Sequence, residues 1–410
     1  MSKSPYDVVL HAARDLPRVD TALSAEMLGA ALLGSVYAVA DGMRAETVRA
    51  FVGRFLAHTA RRRTDAARAI RSVFATLVPD ADGAERVKPG PNPPAWHDQL
   101  GRVRLVGSWA YGDVYGDQTS YLATFEYEQP ELGGEPHAVV ALVDHNIGIV
   151  KDLFVGYPAD RIVGEVREAV ANDPLVWLTE VDPGTLRSQV GFYLNVTDEI
   201  SSLPEDGALA TDRLLVGARL ATLPLGEPPA PPVGVPDPAA LAQSFLDSPA
   251  GRRLDRSTPE AEAAVQYAVR LILDFAQDAP DADPLRWSPA VAGLFLLDWV
   301  HRRAVLDEDD VATLPTVTRA WAAWAGEQRG LPADAAAATD EVIETMTPEF
   351  ARLQGSGERR GPAVTAMAQL LADGVDPSDE AALTAWLNQY PDHHNGTGTG
   401  NGNGQVPRPR

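Results

Sequence analysis

The sequence predicts an α+β protein, with N-terminal helices plus a four- to five-stranded antiparallel sheet with a covering helix, followed by an all-α C-terminal domain. Three observations carry this expectation. Apolar residues recur at helical spacing through the first 80 positions, the period falls to two just after Arg102, and a proline run at 224–238 precedes a stretch whose apolar pattern is helical again. The chain has 410 residues, 45% apolar and 22% charged, which suits a folded chain long enough for two or three domains.

Taken in order, Ser24 reads as the cap of a first long helix with Leu28, Leu32 and Val36 on its inward stripe. A second carries Val48, Phe51, Val52, Phe55 and Leu56, and a third, after Thr64, carries Ile70, Val73, Phe74 and Leu77. Pro and Gly between Lys88 and Pro94 close this helical lobe at 1–88. The first strand is expected at 102–111. Tyr121, Ala123, Phe125 and Tyr127 then alternate with Ser120, Leu122, Thr124 and Glu126, a second strand. The all-apolar AVVALV at 138–143 reads as a central strand covered on both faces, and 148–155 as the next. A helix through Ile162, Val166 and Val170 covers one face, and LVWL at 175–178 adds an edge strand. Asp182-Pro183 opens a further helix, and another runs through 208–223, completing an α+β domain at 95–223.

Seven prolines in fifteen residues make 224–238 a linker of extended chain. The all-α domain, 239–390, begins with a capping box of Ser257 and Glu260, followed by a helix from Ser288-Pro289 and others near 315–329, 333–353, 361–373 and 378–389. The tail, 391–410, rich in Gly, Asn and Thr, is expected to be disordered.

Composition narrows the function. Acidic residues number 57 against 35 basic ones, a net charge of −22, which argues against the whole molecule binding nucleic acid or an anionic membrane. Residues 1–90 alone carry a net charge of +3, so this lobe could dock on the acidic remainder or meet an anionic partner, and docking is the simpler reading. There is no cysteine, which excludes disulfides, thiolate metal sites and cysteine nucleophiles. The most apolar run, 27–40, is shorter than the roughly 20 residues of a membrane span, and the first residues lack a signal-peptide core, so a cytoplasmic protein is expected.

No P-loop, HExxH, GxSxG or strand-borne GxGxxG motif is present. The best remaining constellation lies in the sheet. Asp144 and His145 end the central strand with Asn146, and Asp152 follows Lys151 on the next; Glu126 and Asp117 on the preceding hairpin could join them. Carboxylate, imidazole and carboxamide groups can bind a divalent metal or act as general bases, which makes Asp144, His145 and Asp152 the catalytic candidates. The same residues also suit an ordinary hairpin turn, with Gly148 supplying the unusual dihedral, and that is the commoner reason for finding them together. No cofactor is expected otherwise. The loop Tyr111 to Asp117 repeats Tyr-Gly-Asp; its two carboxylates and two rings could receive a cationic or sugar-like ligand, but it reads first as an exposed connection. His58, and His97 with Asp98, are similar to elements of metal phosphohydrolases, but His97 follows Asn-Pro-Pro-Ala-Trp, a poor helix interior, and reads as a satisfied or solvated side chain.

Arg54, Arg61, Arg62 and Arg63 make a local positive patch without the interleaved aromatics of a nucleic-acid reader. Trp321 and Trp324 share a helix face that suits packing or a partner groove. The segments LVDHNIGIVKDLFV (142–155), WSPAVAGLFLLDWV (287–300) and TLPTVTRAWAAWAGEQRGLP (313–332) resemble a family of uncharacterised bacterial proteins from GC-rich genomes, over roughly 100–350. The resemblance implies that the Asp-His-Asn turn, the Lys-Asp strand and the helical region are features of that family, and implies no activity. The function expected is a non-catalytic protein-interaction or regulatory protein, with a metal-dependent hydrolase centred on Asp144, His145 and Asp152 as the alternative and nucleic-acid binding through the arginine patch as a second. A protein partner is expected and a membrane partner is not.

Overall fold

A computed structural model describes residues 4–204, 208–230, 237–376 and 379–389. The chain divides into two compact units, Met1–Pro236 with Gln277–Arg286 and Leu331–Ala335, and Asp237–Ala276 with Trp287–Gly330 and Ala336–Arg410. It is an α+β protein with one five-stranded antiparallel sheet.

The first unit opens with α1 (Pro5–Ala12), α2 (Ala22–Ala38), α3 (Arg44–Thr59) and α4 (Asp65–Leu77). The stripes of α3 and α4 point inward, with Val48, Val52, Phe55, Ile70, Val73, Phe74 and Leu77 all buried. Thr64 caps α4 by accepting from the Ala67 N–H at 3.3 Å. In α2 two expectations are corrected. Thr21, not Ser24, is the cap, accepting from the Ser24 N–H. The buried face is Leu23, Glu26, Gly29, Ala30, Leu33, Gly34 and Tyr37, while Leu28, Leu32 and Val36 are only partly buried. Small residues permit the reversal: a Cβ on Gly34 would lie 2.4 Å from the Ala210 carbonyl oxygen, so the backbones meet where no larger residue fits.

The sheet contains β1 (Val103–Asp113), β2 (Gln118–Tyr127), β3 (His137–Asp144), β4 (Ile149–Gly156) and β5 (Val176–Glu180), in the order β4-β3-β2-β1-β5. The one-turn helix α5 (Pro130–Gly133) joins β2 to β3. Helices α6 (Ala159–Asn172), α7 (Pro183–Glu199) and α8 (Leu209–Ala221) complete the unit. Alternation sorts the strands onto two layers. Tyr121, Ala123, Phe125, Val139, Ala141 and Val143 share one core with α2, α3, α4, α7 and α8, so the helices of 1–88 are not a separate lobe. Leu122, Ala138 and Val140 face the other way and pack with Ala159 and Val163 of α6. The edge at β4 is covered by side chains: the Val150 N–H donates to Thr197 Oγ1 and the Val155 N–H to Asp212 Oδ2.

The second unit is helical: α9 (Pro238–Leu246), α10 (Pro259–Asp278), α11 (Pro289–Leu294), α12 (Val300–Arg303), α13 (Glu308–Arg329), α14 (Ala333–Ser356), α15 (Pro362–Ala372) and α16 (Glu380–Gln389), except that α10 from Gln277 and α14 up to Ala335 belong to the first unit. Ser288 caps α11, and Asp307 with Asp310 forms a capping box on α13. At α10 the cap is Thr258, which accepts from the Ala261 N–H at 3.2 Å, while Ser257 turns back to Asp255. Of the expected linker, residues 231–236 lie outside the described residues, as does the whole expected tail, 391–410.

Candidate functional site

Two turns meet at one end of the sheet. In the first, between β1 and β2, Asp113 accepts from the backbone N–H groups of Gly116, Asp117 and Gln118 at 2.8, 3.1 and 3.0 Å, and Gly116 takes a left-handed φ of 83°. In the second, between β3 and β4, Asp144 accepts from the Asn146 N–H through one oxygen, and from Gln118 Nε2 and Lys151 Nζ through the other. Gly148, with φ of 71°, closes this turn by donating its N–H to the Asp144 carbonyl. The ladder pairs Gln118 with Asp144, and the His145 N–H donates to the Asp117 carbonyl at 2.9 Å, so the turns lie side by side.

Arg286, from the 277–286 segment of the same unit, locks them. Its Nη1 donates to Asp117 Oδ1 at 3.0 Å and to Asn146 Oδ1 at 2.6 Å, and its Nε and Nη2 reach Asp281. Burial opposes the charge on this guanidinium, but Asp281 and Asp117 more than offset it and raise its pKa. His145 lies beneath, with Nδ1 3.2 Å from the Tyr193 hydroxyl and Nε2 3.0 Å from Thr119 Oγ1. Burial, then the positive Arg286, pushes its pKa below the ordinary histidine value, so the ring is neutral at pH 7.

The structure therefore brings Asp117, Asp144 and His145 to one end of the sheet. Asp152 stands further along β4, opposite Leu142, with its carboxylate accepting from the Leu153 N–H. Glu126 stands near the opposite end of β2, eight residues from Gln118 or about 27 Å along the strand, and is ion-paired with Arg104. Both ring nitrogens of His145 are engaged, and Asp117 and Asp144 each hold a cationic partner. Among the described residues there is no group of three or more acidic or histidine side chains arranged to hold a metal ion. What the arrangement does chemically is fix two turns against each other.

The other sequence candidates are also placed. Arg54, Arg61, Arg62 and Arg63 are exposed, with Arg62 3.3 Å from Asp7. Trp321 and Trp324 are buried, 5.1 Å apart edge to face and both against Phe245, so they are packing residues of the second unit and offer no open groove. Arg286, Asp281, Tyr193 and Thr119 are the site residues that sequence reasoning missed. Arg286 sits 169 positions from Asp117, and no local pattern signals that pairing. No family model, curated protein or solved structure matches the chain. No helix of the described residues is long and apolar enough to cross a membrane.

Proposed function

We propose that the protein acts in the cytoplasm as a protein-interaction or regulatory protein, and that its partner surface lies on the outward face of α7. One observation carries this reading: Phe192 and Val196, one helical turn apart, are 46% and 37% exposed, although the helix is anchored through Leu186, Val190 and Leu194 on its other side. Ile147, 52% exposed, is at the tip of the turn whose His145 bonds to Tyr193, next to Phe192. At the far end of α7, Arg44 donates to the carbonyls of Ile200 and Ser201 and holds there a turn that exposes Val39 and Met43. Large apolar side chains on a rigid base suit a protein partner, because little side-chain or backbone entropy is lost on docking. The metal-hydrolase alternative draws no support from the two locked turns, where His145 has no nitrogen free. The arginine patch likewise shows exposure and no reader geometry.

The test is photo-crosslinking in the native cell with benzoylphenylalanine placed at Phe192, at Val196 and, as control, at the exposed Arg167 of α6. Discrete crosslinked species at the first two positions and none at the third are expected. Equal patterns at all three, or none at Phe192 and Val196, overturn the proposal.

A further inference from the structure

His97 and Asp98 gain a third member in the folded chain, Ser72. Helix α4 carries Ser72 on the side facing the segment 87–102, where residues His97–Gln99 form a single 3-10 turn. Ser72 Oγ is 3.0 Å from His97 Nε2, and His97 Nδ1 is 3.2 Å from Asp98 Oδ1. These three side chains line one open cleft of about 280 Å³, whose walls also include Val87, Leu100 and Arg102. We propose that Ser72, His97 and Asp98 form a nucleophile, base and orienting group for hydrolysis of small carboxylic esters.

The order of hydrogen bonds is what the chemistry needs. A serine hydroxyl is a weak nucleophile until a base accepts its proton, and an imidazole accepts at one nitrogen only if the other holds the proton. With Nδ1–H directed at Asp98, Nε2 is the accepting nitrogen and faces Ser72. Ser72 Oγ attacks the ester carbonyl carbon as its proton passes to His97 Nε2. The tetrahedral adduct collapses with cleavage of the bond to the alcohol oxygen, which takes that proton and leaves as the free alcohol. A solvent water then attacks the acyl-Ser72 carbonyl and gives its proton to His97. The acid departs, and the proton returns to Ser72. Developing negative charge on the carbonyl oxygen is left to Arg102, which lines the cleft and pairs with Glu128 at 3.7 Å, because the backbone N–H groups around Ser72 are used within α4. The cleft volume and its apolar wall fit a short acyl or aryl group. The interaction surface on α7 is a different face, so the two proposals stand independently.

The same bonds could instead only pin the 97–99 turn to α4, and reactivity separates the two roles. The full-length protein is treated with a fluorophosphonate, and adducts are counted by intact mass and mapped by peptide. One adduct on Ser72 is expected, absent in Ser72→Ala, slowed about 100-fold or more in His97→Gln, and slowed less in Asp98→Asn. Thermal unfolding of each variant, with a melting temperature close to wild type, shows that the loss of labelling is not loss of fold; Arg102→Gln, at an exposed position, serves as a second slow-labelling variant should His97→Gln unfold. No adduct on Ser72 in the folded wild type overturns the proposal, as does labelling at the wild-type rate in folded His97→Gln or Arg102→Gln.

Discussion

The least exposed charges in the first unit are Glu26 and Arg219, each with a fully buried side chain. Arg219 Nη2 donates to Glu26, the Tyr127 hydroxyl donates to Glu26 at 2.5 Å, and the Gly101 N–H donates to its second oxygen at 2.6 Å. Arg219 Nε donates to His137 Nε2 at 2.9 Å, so that nitrogen must be an acceptor and the ring proton sits on Nδ1, facing the Glu135 carbonyl. Removing one member strands a charge away from water. Arg219→Met is therefore expected to destabilise the unit by about 3–5 kcal/mol, and Arg219→Met with Glu26→Leu by clearly less, since the pair is removed together. Urea unfolding of both variants checks this, and equal losses would sink the argument. None of it was legible beforehand. Glu26 borders an apolar run, and Arg219 sits 193 positions away in a helix for which the sequence offers only an extent, 208–223. The turn residues Asp144, Asn146 and Gly148 were legible, because their roles are local, whereas Arg286 above them was not.

Elements with one wide apolar stripe, such as α3 and α4, were readable because periodicity and burial coincide. The strands were readable too, from alternation and from the run in β3. Helix α2 failed for a definite reason: it is buried by its small residues, and a stripe rule weights large ones. Its glycines make this measurable. A Cβ at Gly34 would lie 2.4 Å from a backbone oxygen of α8, which a side-chain rotation cannot relieve. In contrast, Gly191 within α7 has nothing within 4 Å of its Cβ position. Gly34→Ala is expected to lower stability by about 1–3 kcal/mol, as overpacking does. Gly191→Ala should raise it by about 0.5–1 kcal/mol, because alanine lowers the entropy lost on forming a helix. Chemical denaturation of the two variants side by side decides the matter, and a stabilised Gly34→Ala would mean that α2 and α8 are not in register as described.

At the scale of the whole molecule, three histidines among the described residues, buried His137 and His301 and partly buried His145, set the response to acid. In the first unit, burial and then Arg219 hold the His137 pKa down to about 3, and burial and then Arg286 lower that of His145. In the second unit, burial lowers that of His301. A histidine depressed in the folded chain binds its proton more readily when unfolded, so the unfolded state takes up more protons between about 3 and 6.5. Stability consequently rises with pH through that window and is lost as pH falls below about 6.5. For His137 the slope approaches about 1.4 kcal/mol per pH unit at the steepest, the limit for one proton. Asp212 works in the opposite direction near the carboxylate range, since burial raises its pKa and the folded chain there holds the extra proton. Melting temperatures measured from pH 8 to pH 4 should fall steadily below about 6.5. His137→Asn should flatten the slope for the first unit while lowering its stability at neutral pH, because Arg219 loses an acceptor. An unchanged slope in that variant would place the acid response elsewhere, in His145 or in carboxylates. A flat wild-type profile would mean that water reaches these rings, and that the polar clusters holding the sheet to α2, α7 and α8 are looser than the hydrogen bonds describe.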